Sequence, residues 1–196
     1  MTDTGFPLPT DDELDPAARE VISNLPPLNV FRAVAALPAS LRPFLELGAS
    51  LLAGENLTPA QREVAILRVA HLTDAGYERQ QHEQLAAAVG LSADEIEATA
   101  SDDPGAALDE DGTLVCAAVD EITRDVRLSD ATLARVRERW GDAGARELIL
   151  TAAYYNMVSR YLESTRVPLE ETNVLGESDP EQLVKEGRER TGADGA

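Results

Sequence analysis

The chain has 196 residues, of which 43% are hydrophobic and 27% are charged, a composition that argues against wholesale disorder. Seventeen Lys and Arg residues stand against 36 Asp and Glu, which gives a formal net charge of −19. A surface this acidic repels phosphate, so it argues strongly against a sequence-independent nucleic-acid binder and against binding to anionic membranes. The single cysteine, Cys116, excludes an intrachain disulfide and a CxxC redox pair.

The sequence also indicates the cellular compartment and the salt conditions in which the protein functions. No apolar run approaches the roughly 18 residues of a membrane helix, and the acidic, proline-broken N-terminal segment is unlike a signal peptide. We therefore expect a cytoplasmic protein. Lys185 is the only lysine, and scarce lysine with abundant acid favours a salt-in halophile, since molar salt screens self-repulsion. An arginine-rich, GC-rich genome with an acidic bias is the alternative.

Helical patterns recur along the chain, whereas alternating strand patterns are almost absent. Asp15 followed by Pro16 predicts a helix start, and residues 58–61 form a capping box with proline at the first helical position. The predicted helices span approximately 15–24, 29–37, 38–52, 59–72, 74–89, 92–100, 113–126, 130–140 and 143–164.

These elements predict one all-α domain of roughly eight helices over residues 15–168. Its core is expected to be the helical hairpin over residues 58–90. Residues 1–14 are predicted to be irregular, residues 101–112 to form an acidic loop, and residues 169–196 to form an acidic mobile tail.

Glu63 lies near the start of the helix predicted from Pro59, and Ile66, Leu67 and Ala70 follow it on the same face. That face is apolar and is expected to point inward, which would give a desolvated carboxylate suited to proton transfer. The alternative is a carboxylate at the rim of the helix that pairs with a neighbouring arginine, because acidic residues are common in first turns.

Glu78 and His82 lie four residues apart in the next helix, so their Cβ atoms are expected on one face, about 5–6 Å apart. Such a pair can act as a proton relay, supply half of a metal site or form an ordinary surface pair. Tyr77 lies about 100° around the helix from Glu78 and is expected to face the preceding helix.

The remaining candidates carry weaker patterns. His71 lies near the end of its helix, where it could join His82 across the turn or cap the carbonyls of its own helix. A zinc site built from His71, Glu78 and His82 is not favoured, because no HExxH, CxxC or HxH spacing is present. Arg160 could orient an anionic substrate, or could simply extend its charged end to solvent. Cys116 lies among small apolar residues and is expected to be buried and inert.

The stretch TPAQREVAILRVAHLTDAGYERQQHEQLAAAVGLSADEIEA resembles the core hairpin of the carboxymuconolactone decarboxylase and alkylhydroperoxidase D-like (AhpD-like) family. The family pattern has a Glu early in one helix, a CxxC at the start of the next, and a His four residues after the second Cys. A Tyr often precedes that second Cys. Glu63, Tyr77 and His82 occupy the matching positions, whereas Ala75 and Glu78 stand where the two cysteines would be.

The resemblance implies an AhpD-like helical bundle and assembly into trimers or hexamers. Because Ala75 and Glu78 replace both cysteines, thiol peroxidase activity is expected to be absent. The cysteine-free branch is similar to cofactor-free decarboxylases, in which a carboxylated lactone loses CO₂ and a general acid supplies a proton to carbon. The resemblance therefore implies a lyase with no metal and no cofactor, acting on a small molecule.

In this first hypothesis Glu63 is the acid, Glu78 holds His82 as the proton relay, and Tyr77 donates a hydrogen bond. The net charge does not help to recruit an anionic substrate, so local arginines would have to offset it. The candidates are Arg68, Arg79 and Arg160. A second hypothesis is a catalytically inactive binding or oligomeric scaffold that kept the hairpin. A redox protein that uses Cys116 is disfavoured because of its apolar setting.

The halophile hypothesis predicts a rise in the midpoint of thermal unfolding between low salt and molar salt. The reason is that about 1 M salt shortens the screening length to roughly 3 Å and removes repulsion among the carboxylates. Thermal denaturation followed by circular dichroism at the two salt concentrations measures this. Full stability at low salt would contradict the hypothesis and favour a genomic bias.

Overall fold

The computed structural model describes residues 5–171, and no β-strand occurs in that range. The eight helices found there confirm the all-α fold class. They are α1 (Pro16–Ile22), α2 (Asn29–Ala35), α3 (Pro38–Leu52), α4 (Pro59–Leu72), α5 (Gly76–Ala88), α6 (Ala93–Ala98), α7 (Glu110–Asp125) and α8 (Asp130–Thr165). Within residues 5–171, no helix combines the length and the apolar character needed to cross a bilayer.

The chain divides into two compact units. Of the described residues, one unit comprises 5–53 together with 161–171, and the other comprises Gly54–Arg160. The single domain that the sequence predicts over 15–168 stays a prediction. Residues 5–14 contain no helix, and the predicted acidic tail lies, from residue 172 onward, outside the described residues.

The first unit contains α1, α2, α3 and the last turn of α8. Asp15 caps α1, accepting a hydrogen bond from the backbone N–H of Ala17 at 2.9 Å. The Tyr161 hydroxyl donates to the carbonyl of Ala33 at 2.9 Å, which joins the end of α8 to α2. This unit carries none of the side chains that the sequence singled out for catalysis.

The second unit is built around α4. All nine residues from Arg62 to Ala70 are buried, so this helix is enclosed on every side rather than on one face. It packs against α5 and α7. The predicted capping box fixes its start: the Thr58 hydroxyl accepts from the N–H of Gln61 at 3.2 Å, and the Gln61 side chain accepts from the N–H of Thr58 at 2.9 Å.

A tight turn reverses the chain between α4 and α5. Asp74 adopts a positive φ of 53°, a left-handed conformation that aspartate tolerates better than most residues. The N–H of Ala75 donates to the carbonyl of Ala70 at 2.8 Å and closes the end of α4. The predicted hairpin over 58–90 therefore forms with a connection of only a few residues.

The observed start of α7 differs from the sequence prediction. Helix α7 begins at Glu110 rather than at about 113, because Asp109 caps it by accepting from the N–H of Gly112 at 2.7 Å. A short 3-10 turn, Pro104–Ala106, lies within the predicted loop. Gly141 interrupts α8 with φ 68° and ψ −178°, in agreement with the break predicted between 140 and 143.

Arg68 shows how a charge is accommodated inside this unit. Its guanidinium forms two bonds to the Asp120 carboxylate, Nε to Oδ1 at 2.6 Å and Nη2 to Oδ2 at 2.9 Å. Nη1 also donates to the carbonyls of Thr99 and Ser101 at 3.0 and 2.7 Å. Arg68 therefore links α4, α7 and the end of α6, a structural role that differs from the substrate-binding role considered from the sequence.

Replacing Arg68 with Met is expected to lower the free energy of unfolding by about 3 kcal/mol or more, because the Asp120 carboxylate loses its buried partner. Chemical denaturation measures the change. Arg124→Met is the matched control, since Arg124 contacts the same carboxylate at 3.1 Å but is largely exposed. Its expected cost is below about 1 kcal/mol. Equal losses in the two variants would contradict the structural role of Arg68.

Candidate functional site

The α4–α5 hairpin brings together residues 19 positions apart in the sequence. Glu63 lies in the second turn of α4, and His82 lies on the facing side of α5. The Oε2 atom of Glu63 is 2.7 Å from Nδ1 of His82, a hydrogen bond between two buried side chains. The predicted inward orientation of Glu63 is therefore what the structure shows, and its partner is the histidine rather than an arginine.

Glu78 completes the arrangement from within α5. Its Oε1 atom is 3.2 Å from Nε2 of His82, the geometry expected for residues four apart on a helix. Both ring nitrogens of His82 thus face carboxylate oxygens. Glu63, Glu78 and His82 are 4%, 5% and 6% exposed, so this carboxylate–histidine cluster is shielded from bulk water.

The cluster favours a protonated imidazole. Burial lowers the pKa of His82, but the charge and hydrogen bond of Glu63 and those of Glu78 outweigh it and raise the pKa from 6.5 to about 10. A protonated ring carries an N–H on both nitrogens, so it can donate to both carboxylates at once. The cluster therefore holds a proton on His82 at neutral pH.

One carboxylate oxygen of the cluster is left over. The Oε2 atom of Glu78 is buried and has no hydrogen-bond partner in the described part of the chain. An unpaired buried acceptor of this kind costs about 1–3 kcal/mol, and more when the group is charged. As a hydrogen-bond acceptor, this oxygen could be satisfied by a donor group of a bound molecule.

Helix α8 supplies an aromatic wall that the sequence analysis did not assign to the site. The ring of Tyr155 lies edge-on to His82, with centroids 5.1 Å apart and planes at 86°. Tyr154 lies edge-on to Tyr155 at 5.3 Å. Burial, with the charges of Glu78 and Glu63, raises the pKa of Tyr155 well above 10, so its phenol stays neutral. The tyrosine-rich stretch of α8 was visible in the sequence, but its register against α5 was not.

Two further predicted site residues, Tyr77 and His71, lie on α5 and near the end of α4. Tyr77 is buried beside Glu78 on α5. His71 is largely exposed, and partial burial together with the charges of Arg68 and Arg79 lowers the pKa of its ring. His71 takes part in neither of the two contacts that His82 makes with Glu63 and Glu78.

The predicted substrate-binding arginines are engaged in local pairs. Arg160 is exposed and donates to the carbonyl of Asn156 at 3.0 Å and to the Asn156 side chain. Arg79 pairs with Glu83 at 2.6 Å and with Glu97 at 3.3 Å, both on the outer side of the unit. These contacts fit the surface alternative considered for Arg160.

The three groups of the cluster do not converge on one point. Glu63 and Glu78 approach opposite nitrogens of the His82 ring, so one ion could not contact all three donors in this arrangement. Among the described residues, no group of three His, Cys, Asp or Glu side chains has a geometry that could hold a metal ion.

Comparison with known proteins agrees with this architecture. The model of the carboxymuconolactone decarboxylase family matches residues 38–107, a range that includes Glu63, Ala75, Glu78 and His82. The resemblance expected from the sequence is therefore confirmed. No curated protein matches the chain.

Two solved structures share the fold. One is described as an alkylhydroperoxidase AhpD core, an uncharacterized peroxidase-related protein from Ralstonia eutropha JMP134, with 17% identity and a TM-score of 0.75. The other is an uncharacterized peroxidase-related protein from Silicibacter sp. TM1040, with 18% identity and a TM-score of 0.70. Each alignment covers 87% of this chain and 94% of the other. These similarities establish the AhpD-like all-α fold.

The clamped histidine predicts a specific pH dependence of stability. Because the pKa of His82 is raised from 6.5 to about 10 on folding, its stabilising contribution is complete below pH 6.5 and is lost as pH rises through about 10. The free energy of unfolding, measured by denaturation at a series of pH values, should fall over this window in the wild-type protein.

The same measurement on two variants isolates the contribution. His82→Gln should remove this part of the fall, whereas His71→Gln, which replaces a largely exposed ring, should retain it. An identical pH dependence in wild type and His82→Gln would contradict the raised pKa.

Proposed function

We propose that the chain is a cofactor-free lyase that releases CO₂ from a small carboxylated lactone or a related acid by proton transfer. The observation that carries the proposal is the buried His82 ring between Glu63 and Glu78, with one Glu78 oxygen left unpaired. The match of residues 38–107 to the carboxymuconolactone decarboxylase family supports the same class of reaction.

The reaction needs one proton. The bond between the substrate carbon and its carboxylate breaks, CO₂ leaves, and the electron pair passes into the conjugated ring. The protonated His82 passes the Nε2 proton to Oε1 of Glu78. The carboxylic acid group then rotates so that this O–H faces the substrate, and it delivers the proton to the substrate carbon. Solvent then restores the proton to His82.

This scheme modifies the roles assigned from the sequence. Glu63 bonds to Nδ1 of His82 through its Oε2 atom, and its charge is the first of the interactions that raise the histidine pKa. We therefore propose that Glu63 orients the His82 ring and stabilises its positive charge. Glu78, which has the unpaired oxygen, contacts the substrate. Tyr155 covers the ring and helps to exclude water.

A thiol peroxidase is not supported, although the two similar structures carry peroxidase-related descriptions. Ala75 and Glu78 stand at the positions of the family's cysteines. Cys116, the single cysteine, is buried, and burial raises its pKa to about 12. A thiolate is therefore not available at neutral pH to attack a peroxide.

A catalytically inactive scaffold is the second candidate. The observation in its favour is that His82 is only 6% exposed, so a substrate could reach the ring only through movement of the surrounding side chains. A scaffold would show no turnover, and it would tolerate Glu63→Ala and His82→Ala without loss of binding.

Turnover separates the two candidates. We expect CO₂ release from carboxymuconolactone or from one of a panel of small carboxylated lactones, assayed in molar salt. Glu63→Gln and Glu78→Gln should each reduce the rate by about 100-fold or more, because each removes a charge that the proton transfer needs.

Glu83→Gln is the matched control for these variants. It removes a carboxylate from the same helix, but Glu83 pairs with Arg79 at the surface and lies outside the cluster. Its rate should equal that of the wild type. Undiminished turnover in Glu63→Gln and Glu78→Gln would refute the mechanism, and no CO₂ release by the folded wild type would favour the scaffold.

A further inference from the structure

Helix α5 carries a row of unpaired oxygen atoms that leads away from His82. The side-chain oxygens Glu78 Oε2, Gln81 Oε1 and Gln84 Oε1 are all buried and have no hydrogen-bond partner in the described structure. The three residues are spaced by three, so each is the helical neighbour of the next, with Cβ atoms about 5–6 Å apart. The row begins at the substrate-contacting end of the cluster.

The amide nitrogen of each of the two glutamines makes one hydrogen bond. Gln81 Nε2 donates to the side chain of Gln80 at 3.1 Å, and Gln84 Nε2 donates to the Gln80 backbone carbonyl at 3.2 Å. Their side-chain carbonyl oxygens, by contrast, make no hydrogen bond with any described residue. Two buried hydroxyls on α8, those of Thr151 and Ser159, also have no partner within residues 5–171. A hydroxyl can either donate or accept, so these two groups do not alter the preference for a ligand with donors.

Charge points to the same class of ligand. Two carboxylates against one imidazolium leave the cluster with one net negative charge. The buried Arg62 donates to the carbonyls of Gly54 and Leu57 at 2.8 and 2.6 Å, and Arg68 is bound to Asp120. A ligand that turns acceptors or carboxylates toward these oxygens would be repelled by them and by the negative charge.

We propose that Gln81 is a specificity-determining residue, and that Gln81 and Glu78 together bind a ligand through two hydrogen-bond donors, such as hydroxyl groups. The inference rests on the proposed function in taking the His82 cluster as the place where substrate binds. It narrows the substrate to a carboxylated compound that also presents hydroxyl or N–H groups to α5. Gln81, which is 5% exposed, carries the second acceptor.

Stability of the free protein gives the first test. Gln81→Met keeps the length of the side chain and removes the unpaired acceptor, so it should raise the melting temperature by about 2–4 °C. Gln61→Met is the matched control, because the Gln61 amide is paired at both ends, with Thr58 at 2.9 Å and Asp111 at 3.0 Å. It should lower the melting temperature. If the melting temperature of Gln81→Met equals or falls below that of the wild type, the claim that the Gln81 oxygen is an unpaired buried acceptor is wrong.

Binding of matched probes gives the second test. Resorcinol presents two phenolic hydroxyls at positions 1 and 3 of a small ring, and 1,3-dimethoxybenzene has the same skeleton without donors. Resorcinol should shift the NMR signals of the His82 ring and leave those of His71 unchanged, whereas the dimethyl ether should shift neither. In Gln81→Met the affinity for resorcinol should fall about tenfold, since one hydrogen bond to a buried acceptor is lost.

The outcomes are separable from those of the decarboxylation assay. Equal shifts with both probes, no His82 shift with resorcinol, or undiminished affinity in Gln81→Met would overturn the donor-bearing ligand class. Binding of resorcinol through Gln81 in a protein that releases no CO₂ would preserve this inference while refuting the lyase.

Discussion

The burial of α4 is the constraint on which the second unit depends. This helix is enclosed on all sides, yet it carries the charged residues Arg62, Glu63 and Arg68. A buried charge is tolerated only with a partner, and each of the three finds one on another element or loop. Arg68 binds the Asp120 carboxylate of α7, and Glu63 binds His82 of α5. The same ion pairing that lets α4 occupy the centre therefore assembles the candidate site.

The chemistry follows from the symmetry of the His82 contacts. With a carboxylate at each ring nitrogen, the imidazole stays protonated well above its usual pKa of 6.5. Rotation of the ring would break a hydrogen bond. In the family pattern the position of Glu78 belongs to a cysteine. A carboxylate at this position suits proton transfer and not thiol chemistry. Burial by Tyr155 strengthens these electrostatic interactions by excluding water.

Local sequence patterns predicted the local structure and one half of the site. Capping residues and prolines placed the helix starts at Pro16, Pro38 and Pro59, and the spacing of Glu78 and His82 predicted their contact. The Glu63–His82 bond depends on how two helices pack, which periodicity does not report. The same limit applies to Arg68, considered for substrate binding but paired with Asp120, and to the register of α8 that brings Tyr155 to the ring.

The most direct test of the clamped histidine is the protonation state of its ring, observed by nitrogen-15 NMR near pH 8. With only two histidines in the chain, His71→Gln assigns the His82 signals without ambiguity. The structure predicts protons on both ring nitrogens of wild-type His82 at this pH, because its pKa is about 10. A neutral ring with one protonated nitrogen at pH 8 would contradict the clamp and, with it, the proton that His82 supplies in the proposed reaction.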